Sequence, residues 1–163
     1  MPDMEKGKVE CRIGDILKAK KMTLAFAESC TGGLLSHRIT NIPGSSEYFK
    51  GAVVSYSNEI KRRILGVPDK MINACGAVSP EVVKRMASGV LIKYRVDIAL
   101  SVSGIAGPGG GSGKKPVGLC YYAIATKKNI EVGKIMARGN RGRIKKAFSD
   151  AALLALERTI KEL

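Results

Sequence analysis

The sequence predicts an α/β domain of three layers, with helices on both faces of a mixed central sheet. Three observations carry this. Short apolar runs alternate with stretches of helical periodicity. The run "VDIALSVS" (96–103) is largely apolar, as in a strand covered on both faces. Two later runs, "VGLCYYAIAT" and "IEVGKIMA", are joined by the polar turn Lys127-Lys128-Asn129, which marks a hairpin beside strands that helices connect.

Each element follows from its local chemistry. From Glu5 to about Lys20, Val9, Ile13, Ile16 and Leu17 recur at near-helical spacing and predict an amphipathic first helix. "TLAFA" (23–27) reads as a short buried strand. Gly32-Gly33 and the spacing of Leu34, Leu35, Ile39 and Ile42 then predict a helix that begins near Thr31 and stops before Pro43 and Gly44. "NIPGSS" has the residues of a tight turn.

"GAVVSY" (51–56) is a second strand, and Ser57 or Asn58 caps a helix running to Leu65. Ser79, Pro80 and Glu81 open a helix to about Tyr94: serine caps it, proline suits the first turn, and a carboxylate there favours the helix dipole. The last helix, Arg141 to Leu163, sets Ile144, Phe148, Ala151, Leu154, Ala155 and Ile160 on an apolar stripe. No internal repeat or linker interrupts the pattern, so residues 1–163 read as one domain.

Composition narrows the class. Hydrophobic residues make up 45 % and charged residues 26 %, ordinary globular proportions that argue against disorder. No apolar run approaches the roughly 20 residues of a membrane span, and "MPDMEKGKVE" lacks the apolar core of a signal peptide. A cytoplasmic protein with no membrane partner is expected. The four cysteines, Cys11, Cys30, Cys75 and Cys120, are scattered without a C-x-x-C pair and share a single histidine, so neither a zinc site nor a disulfide framework is expected. The net charge of +14 draws phosphates, nucleotides or nucleic acid without choosing among them. Aromatics are only 5 %, a poor supply for stacking on bases.

Ser29 falls where a strand passes into a helix, the place where open α/β sheets hold ligands and where free helix N–H groups bind anions. Serine and threonine at such a junction are also common N-caps. Cys30 competes as nucleophile, because a helix start lowers a thiol's pKa. A triad through His37 is set aside: at about 1.5 Å of rise per residue the imidazole lies too far along the helix. A lysine base suits Ser29 better, since desolvation lowers a lysine pKa toward neutrality.

Tyr56 and Lys61, at a strand end and a helix start, are candidates whose types alone do not set them apart from surface residues. The loop from Gly104 through Gly107 to Gly113 invites an anion to approach its backbone. It is not a Walker loop, because Pro108 and Lys115 stand where that motif needs glycine and Ser/Thr, and no register fits the Rossmann G-x-G-x-x-G. Arg141, in "GNR" at the entry to the last helix, is a candidate phosphate clamp.

Together, "AESCTGGLLSHRITNIPGSSEYFKGAVVSYSNEIKRRILGV", "GAVSPEVVKRMASG", "SGIAGPGGGSGKKPVG" and "GNR" resemble the C-terminal domain of the CinA (competence/damage-inducible) family, also known as the nicotinamide mononucleotide deamidase family. The likeness runs from about Thr23 to the last helix and is to the stand-alone form. It implies hydrolysis of the carboxamide of nicotinamide mononucleotide to nicotinate mononucleotide and ammonia, a pyridine-nucleotide salvage reaction without cofactor or metal. It places the family's serine nucleophile on Ser29, its lysine/tyrosine base on Lys61 and Tyr56, and its arginine on Arg141. Backbone groups near Cys30, Thr31 or Gly32 then stabilise the oxyanion, while Gly104 and Gly107 help Arg141 hold the phosphate. Ser103 stands where the family usually has threonine, and Ser112-Gly113 where it has Thr-Pro. A homo-oligomer is expected. The rival reading is a nucleotide- or nucleic-acid-binding protein without catalysis, or an amidase for another small amide.

Overall fold

A computed structural model describes residues 7–163. Glu5 and Lys6, at the start of the expected first helix, lie outside the described residues. Five strands form one sheet in the order β2-β1-β3-β4-β5: β1 (Leu24–Glu28), β2 (Phe49–Val54), β3 (Ile98–Gly104), β4 (Leu119–Thr126) and β5 (Ile130–Met136). β1 runs parallel to both β2 and β3, while β4 pairs antiparallel with β3 and with β5. The sheet is mixed, with its hairpin at one edge as the polar turn requires.

Alternation along the strands builds two unlike faces. Leu24 and Phe26 of β1, Ile98, Leu100 and Val102 of β3, and Cys120, Tyr122 and Ile124 of β4 point to one side. There they meet α1 (Val9–Lys20), α2 (Leu34–Thr40) and α6 (Arg141–Glu162). The other side presents Ala25, Ala27, Ala99, Ala123 and Ala125. Small side chains let α5 (Pro80–Tyr94) lie against this floor, so that Ser101 reaches the Val83 carbonyl at 2.6 Å. The short α3 (Asn58–Leu65) and α4 (Asp69–Cys75) complete the α5 layer.

Capping sets the element ends. Ser79 accepts from Val82 N–H ahead of Pro80, and Ser57 accepts from Ile60 N–H ahead of Asn58, as the sequence predicts. The far end of α3 closes when Gly66 N–H bonds the Arg62 carbonyl and Val67 N–H the Lys61 carbonyl. α3 is pressed onto α5 at Gly89, where an added Cβ would lie 2.2 Å from the Leu65 carbonyl oxygen.

Three expectations are corrected. α2 begins at Leu34, not near Thr31, because Gly33 takes φ +97°, a left-handed conformation that no α-helix continues. β2 starts two residues earlier than "GAVVSY" and ends before Tyr56. On α6 the buried face carries Ala152, Leu153 and Leu156 in place of Leu154, which is 49 % exposed. The run "AALLAL" offers apolar residues on adjacent positions, so spacing alone leaves the helix phase open.

Candidate active site

β1 and β3 are neighbours in the sheet, yet the chain leaves them in opposite directions, from β1 toward β2 and from β3 toward β4. Such a switch point opens a crevice at the carboxyl ends of the strands. Here it is a cleft of about 260 Å³, lined by Ser29 and Cys30 after β1, Tyr56, Asn58 and Lys61 around the start of α3, Ala77 and Val78 before α5, the end of β3 with the glycine-rich loop that follows it, and Arg141.

Lys61 is the anomalous residue. Its side chain is 2 % exposed, and its Nζ lies 3.0 Å from Ser29 Oγ and 2.6 Å from the Ser55 carbonyl oxygen. No carboxylate pairs with it among these contacts. Burial lowers its pKa to about 8, with the nearby Cys30 thiol acting in the opposite sense. A neutral amine has two N–H donors and one lone pair. The Ser55 carbonyl takes one donor, which leaves the lone pair able to accept from the Ser29 hydroxyl. When protonated, the same nitrogen donates to both oxygens.

Ser29 is itself 8 % exposed, and its N–H bonds the Val102 carbonyl of β3. The residue after it, Cys30, turns its thiol inward to lie 3.8 Å from Cys120 Sγ. Burial raises the Cys120 thiol's pKa, reinforced by the contact with Cys30. The pair is packed as apolar sulfur.

At the other end of the cleft, Arg141 bridges two segments. Its Nη1 donates to the Gly107 carbonyl at 2.6 Å and its Nη2 to the Tyr56 hydroxyl at 2.8 Å. Asn140 caps α6 by accepting from Arg143 N–H, which places the guanidinium beside the helix start. The glycine loop and a planar cation therefore face the same space.

A family model described as the CinA C-terminal domain matches residues 6–160. This chain belongs to the CinA family. The CinA-like protein of Endomicrobium trichonymphae is 51 % identical over 147 residues, covering 90 % of this chain and 34 % of that relative. The CinA-like protein of Desulfotalea psychrophila is 47 % identical over 146 residues, covering 90 % and 35 %. The chain spans little more than a third of the length of the curated relatives it matches. Among solved structures, the competence/damage inducible protein CihA of Agrobacterium tumefaciens superposes with a TM-score of 0.90 at 36 % identity, over 94 % of this chain and 93 % of that one. A CinA superfamily protein of Klebsiella pneumoniae gives a TM-score of 0.92 at 30 % identity, over 95 % and 97 %.

Within this CinA fold the expected site residues divide. Ser29, Cys30, Tyr56, Lys61, Gly104, Gly107 and Arg141 all line the cleft. Thr31 and Gly32 do not. Thr31 is fully buried with its hydroxyl on Glu28 Oε2, and Gly32 spends its N–H on the Ser29 carbonyl. The anion site expected at the start of α2 is already filled, because Glu28 accepts from the N–H groups of Gly33, Leu35 and Ser36. Tyr56 is 60 % exposed and bonds Arg141, so its hydroxyl belongs to the anion end of the cleft rather than to the Ser29–Lys61 contact. His37 pairs with Asn41 on the exposed side of α2.

Sequence reasoning missed Glu28, the Ser55 carbonyl, Asn58 and the 77–78 wall. Glu28 had a signal, since a carboxylate ends an otherwise apolar strand, "LAFAE". Ser103, noted only as an unusual residue, lines the cleft with its hydroxyl on the Ala77 carbonyl at 2.8 Å. Among the described residues no three His, Cys, Asp or Glu side chains gather as a metal site, and no helix is long and apolar enough to cross a membrane.

Proposed function

We propose that this CinA-family chain hydrolyses the carboxamide of nicotinamide mononucleotide to nicotinate mononucleotide and ammonia, with Ser29 as nucleophile and Lys61 as its base. The observation that carries the reading is the buried amine of Lys61, 3.0 Å from Ser29 Oγ and with its pKa lowered to about 8. A serine hydroxyl is a weak nucleophile until a base removes its proton, and a desolvated lysine can do so near neutral pH. Family membership, the likeness of the four motifs and the cationic far end of the cleft support the choice of a nucleotide amide.

In the first step the Ser29 hydroxyl gives its proton to neutral Lys61 as Oγ bonds to the amide carbon. The Cys30 N–H, beside the nucleophile, is the oxyanion donor in this reading; one such donor contributes about 3–4 kcal/mol in other enzymes. Lys61 then passes the proton to the departing nitrogen, and ammonia leaves. Water attacks the acyl-Ser29 ester as Lys61 takes a proton from it, and Lys61 returns that proton to Ser29 Oγ as the acid is released. Arg141, aided by the 104–110 loop, holds the ribose phosphate, with Tyr56 steadying its guanidinium.

The test is ammonia release from nicotinamide mononucleotide by the purified chain, with Ser29→Ala as control. Release by the parent alone supports the reaction and its nucleophile. No release, with DNA binding that falls steeply with salt, would replace it with a binding role suited to the +14 charge.

A further inference from the structure

We propose that Glu28 is the positioning residue of the Ser29–Lys61 pair, an inference that rests on Ser29 being the nucleophile but not on which amide it attacks. Glu28 closes β1 immediately before Ser29 and is fully buried. Its carboxylate accepts five hydrogen bonds. Oε2 takes those of Thr31 Oγ1 at 2.7 Å, Gly33 N at 3.0 Å and Leu35 N at 3.1 Å, while Oε1 takes those of Ser36 N at 2.9 Å and Ser36 Oγ at 2.6 Å. Every donor lies downstream of the nucleophile. The turn that carries Ser29 is thereby drawn back onto the strand that enters it.

The same residue acts in the other direction through its main chain. The Glu28 carbonyl accepts from Ser55 N at 2.7 Å and from Ser55 Oγ at 3.2 Å. Ser55 in turn offers its own carbonyl to Lys61 Nζ at 2.6 Å. Glu28 thus holds the nucleophile's turn with its side chain and the base's acceptor with its backbone. All five partners donate, so the arrangement needs an acceptor at both oxygens. A carboxylate accepts at both oxygens, whereas an amide in either flip sets an NH2 against donors. Capping α2 alone would need only the side-chain half of this network.

The experiment compares Glu28→Gln, Ser36→Ala and Thr31→Val with the parent chain, using a fluorophosphonate that labels activated serines. The labelling rate is followed against pH, and circular dichroism reports the folded fraction. In folded Glu28→Gln the high-pH plateau is expected to fall about 10- to 100-fold, the scale of a misplaced reacting group. The midpoint stays at about 8, where Lys61 titrates. Ser36→Ala and Thr31→Val, each removing one hydroxyl donor, give smaller losses of the same kind.

A parent-like plateau in folded Glu28→Gln overturns the proposal. If that variant does not fold, parent-like plateaus in both Ser36→Ala and Thr31→Val overturn it. Ammonia release by the parent is measured in parallel: labelling without ammonia removes nicotinamide mononucleotide as substrate and leaves the role of Glu28 standing. Absence of labelling in the parent removes Ser29 as nucleophile, and this inference with it.

Discussion

Lys61 Nζ meets Ser29 Oγ at 3.0 Å across 32 residues of chain, from the second turn of one short helix to the end of one strand. The contact makes separate demands on the two residues. Ser29→Ala is expected to abolish ammonia release, while Cys30→Ala retains most of it, because Lys61 Nζ contacts the Ser29 hydroxyl and the Cys30 thiol packs on Cys120. An ammonia assay on both variants decides between oxygen and sulfur as nucleophile.

Activity should rise with pH through a midpoint of about 8, because the base works only when neutral. At pH 7 roughly a tenth of the chains carry the neutral amine, given a tenfold change per unit. A kcat/KM profile from pH 6 to about 10 checks this, and a flat profile would exclude Lys61 as the base.

The same shift has a cost in stability. The folded pKa lies below the ordinary 10.5, so between about 8 and 10.5 the unfolded chain holds a proton that the folded chain has released. This group's contribution is therefore least favourable below pH 8 and improves as pH rises toward 10.5, by roughly 3 kcal/mol at 1.36 kcal/mol per unit. Lys61→Met should be inactive, yet more resistant to urea at pH 7 by about 2–3 kcal/mol. The gain should shrink on moving to pH 10.

Arg141→Ala should raise KM about tenfold or more and change kcat less, since a charge-assisted hydrogen bond to a phosphate is worth roughly 1.5–3 kcal/mol. Steady-state kinetics separate the two effects. A fall in kcat alone would move Arg141 from binding to the chemical step.

Gly89→Ala probes how the base is held. Its Cβ would lie 2.2 Å from the Leu65 carbonyl oxygen, so α3 must shift away from α5. A loss of about 1–3 kcal/mol is expected in thermal or urea unfolding. A folded variant should also lose activity, because α3 carries Lys61.

How far the sequence reached can be argued from particular residues. α5 was legible to the residue, since Ser79, Pro80 and Glu81 act through local chemistry. α4 was not: it is seven residues long and sets only Met71 and Ile72, partly buried, against the core, too short a stretch for helical periodicity to show. The wall at Ala77 and Val78, which follows it, went unseen for the same reason. Ser29 could be located by its place at a strand end. Lys61 could not be told from other lysines until its depth was known, because its amine is held by Ser29, far off in sequence, and by the Ser55 carbonyl. Thr31 and Gly32 were misplaced because the path of the turn depends on Glu28, a partner that composition does not reveal.

The two halves of the sheet divide the labour of the cleft. Ser29 follows β1, and Lys61 hangs on a helix after β2, so the Ser29–Lys61 pair belongs to the parallel strands. The segment with Gly104 and Gly107 belongs to the turn into the antiparallel hairpin, a connection whose outer glycines touch little of the core. Under the proposed reaction, sequence drift in that connection would retune which nucleotide is admitted without disturbing Ser29 and Lys61. On that reading selectivity and reactivity are open to change independently, and a loop graft between relatives is the natural unit of such a change.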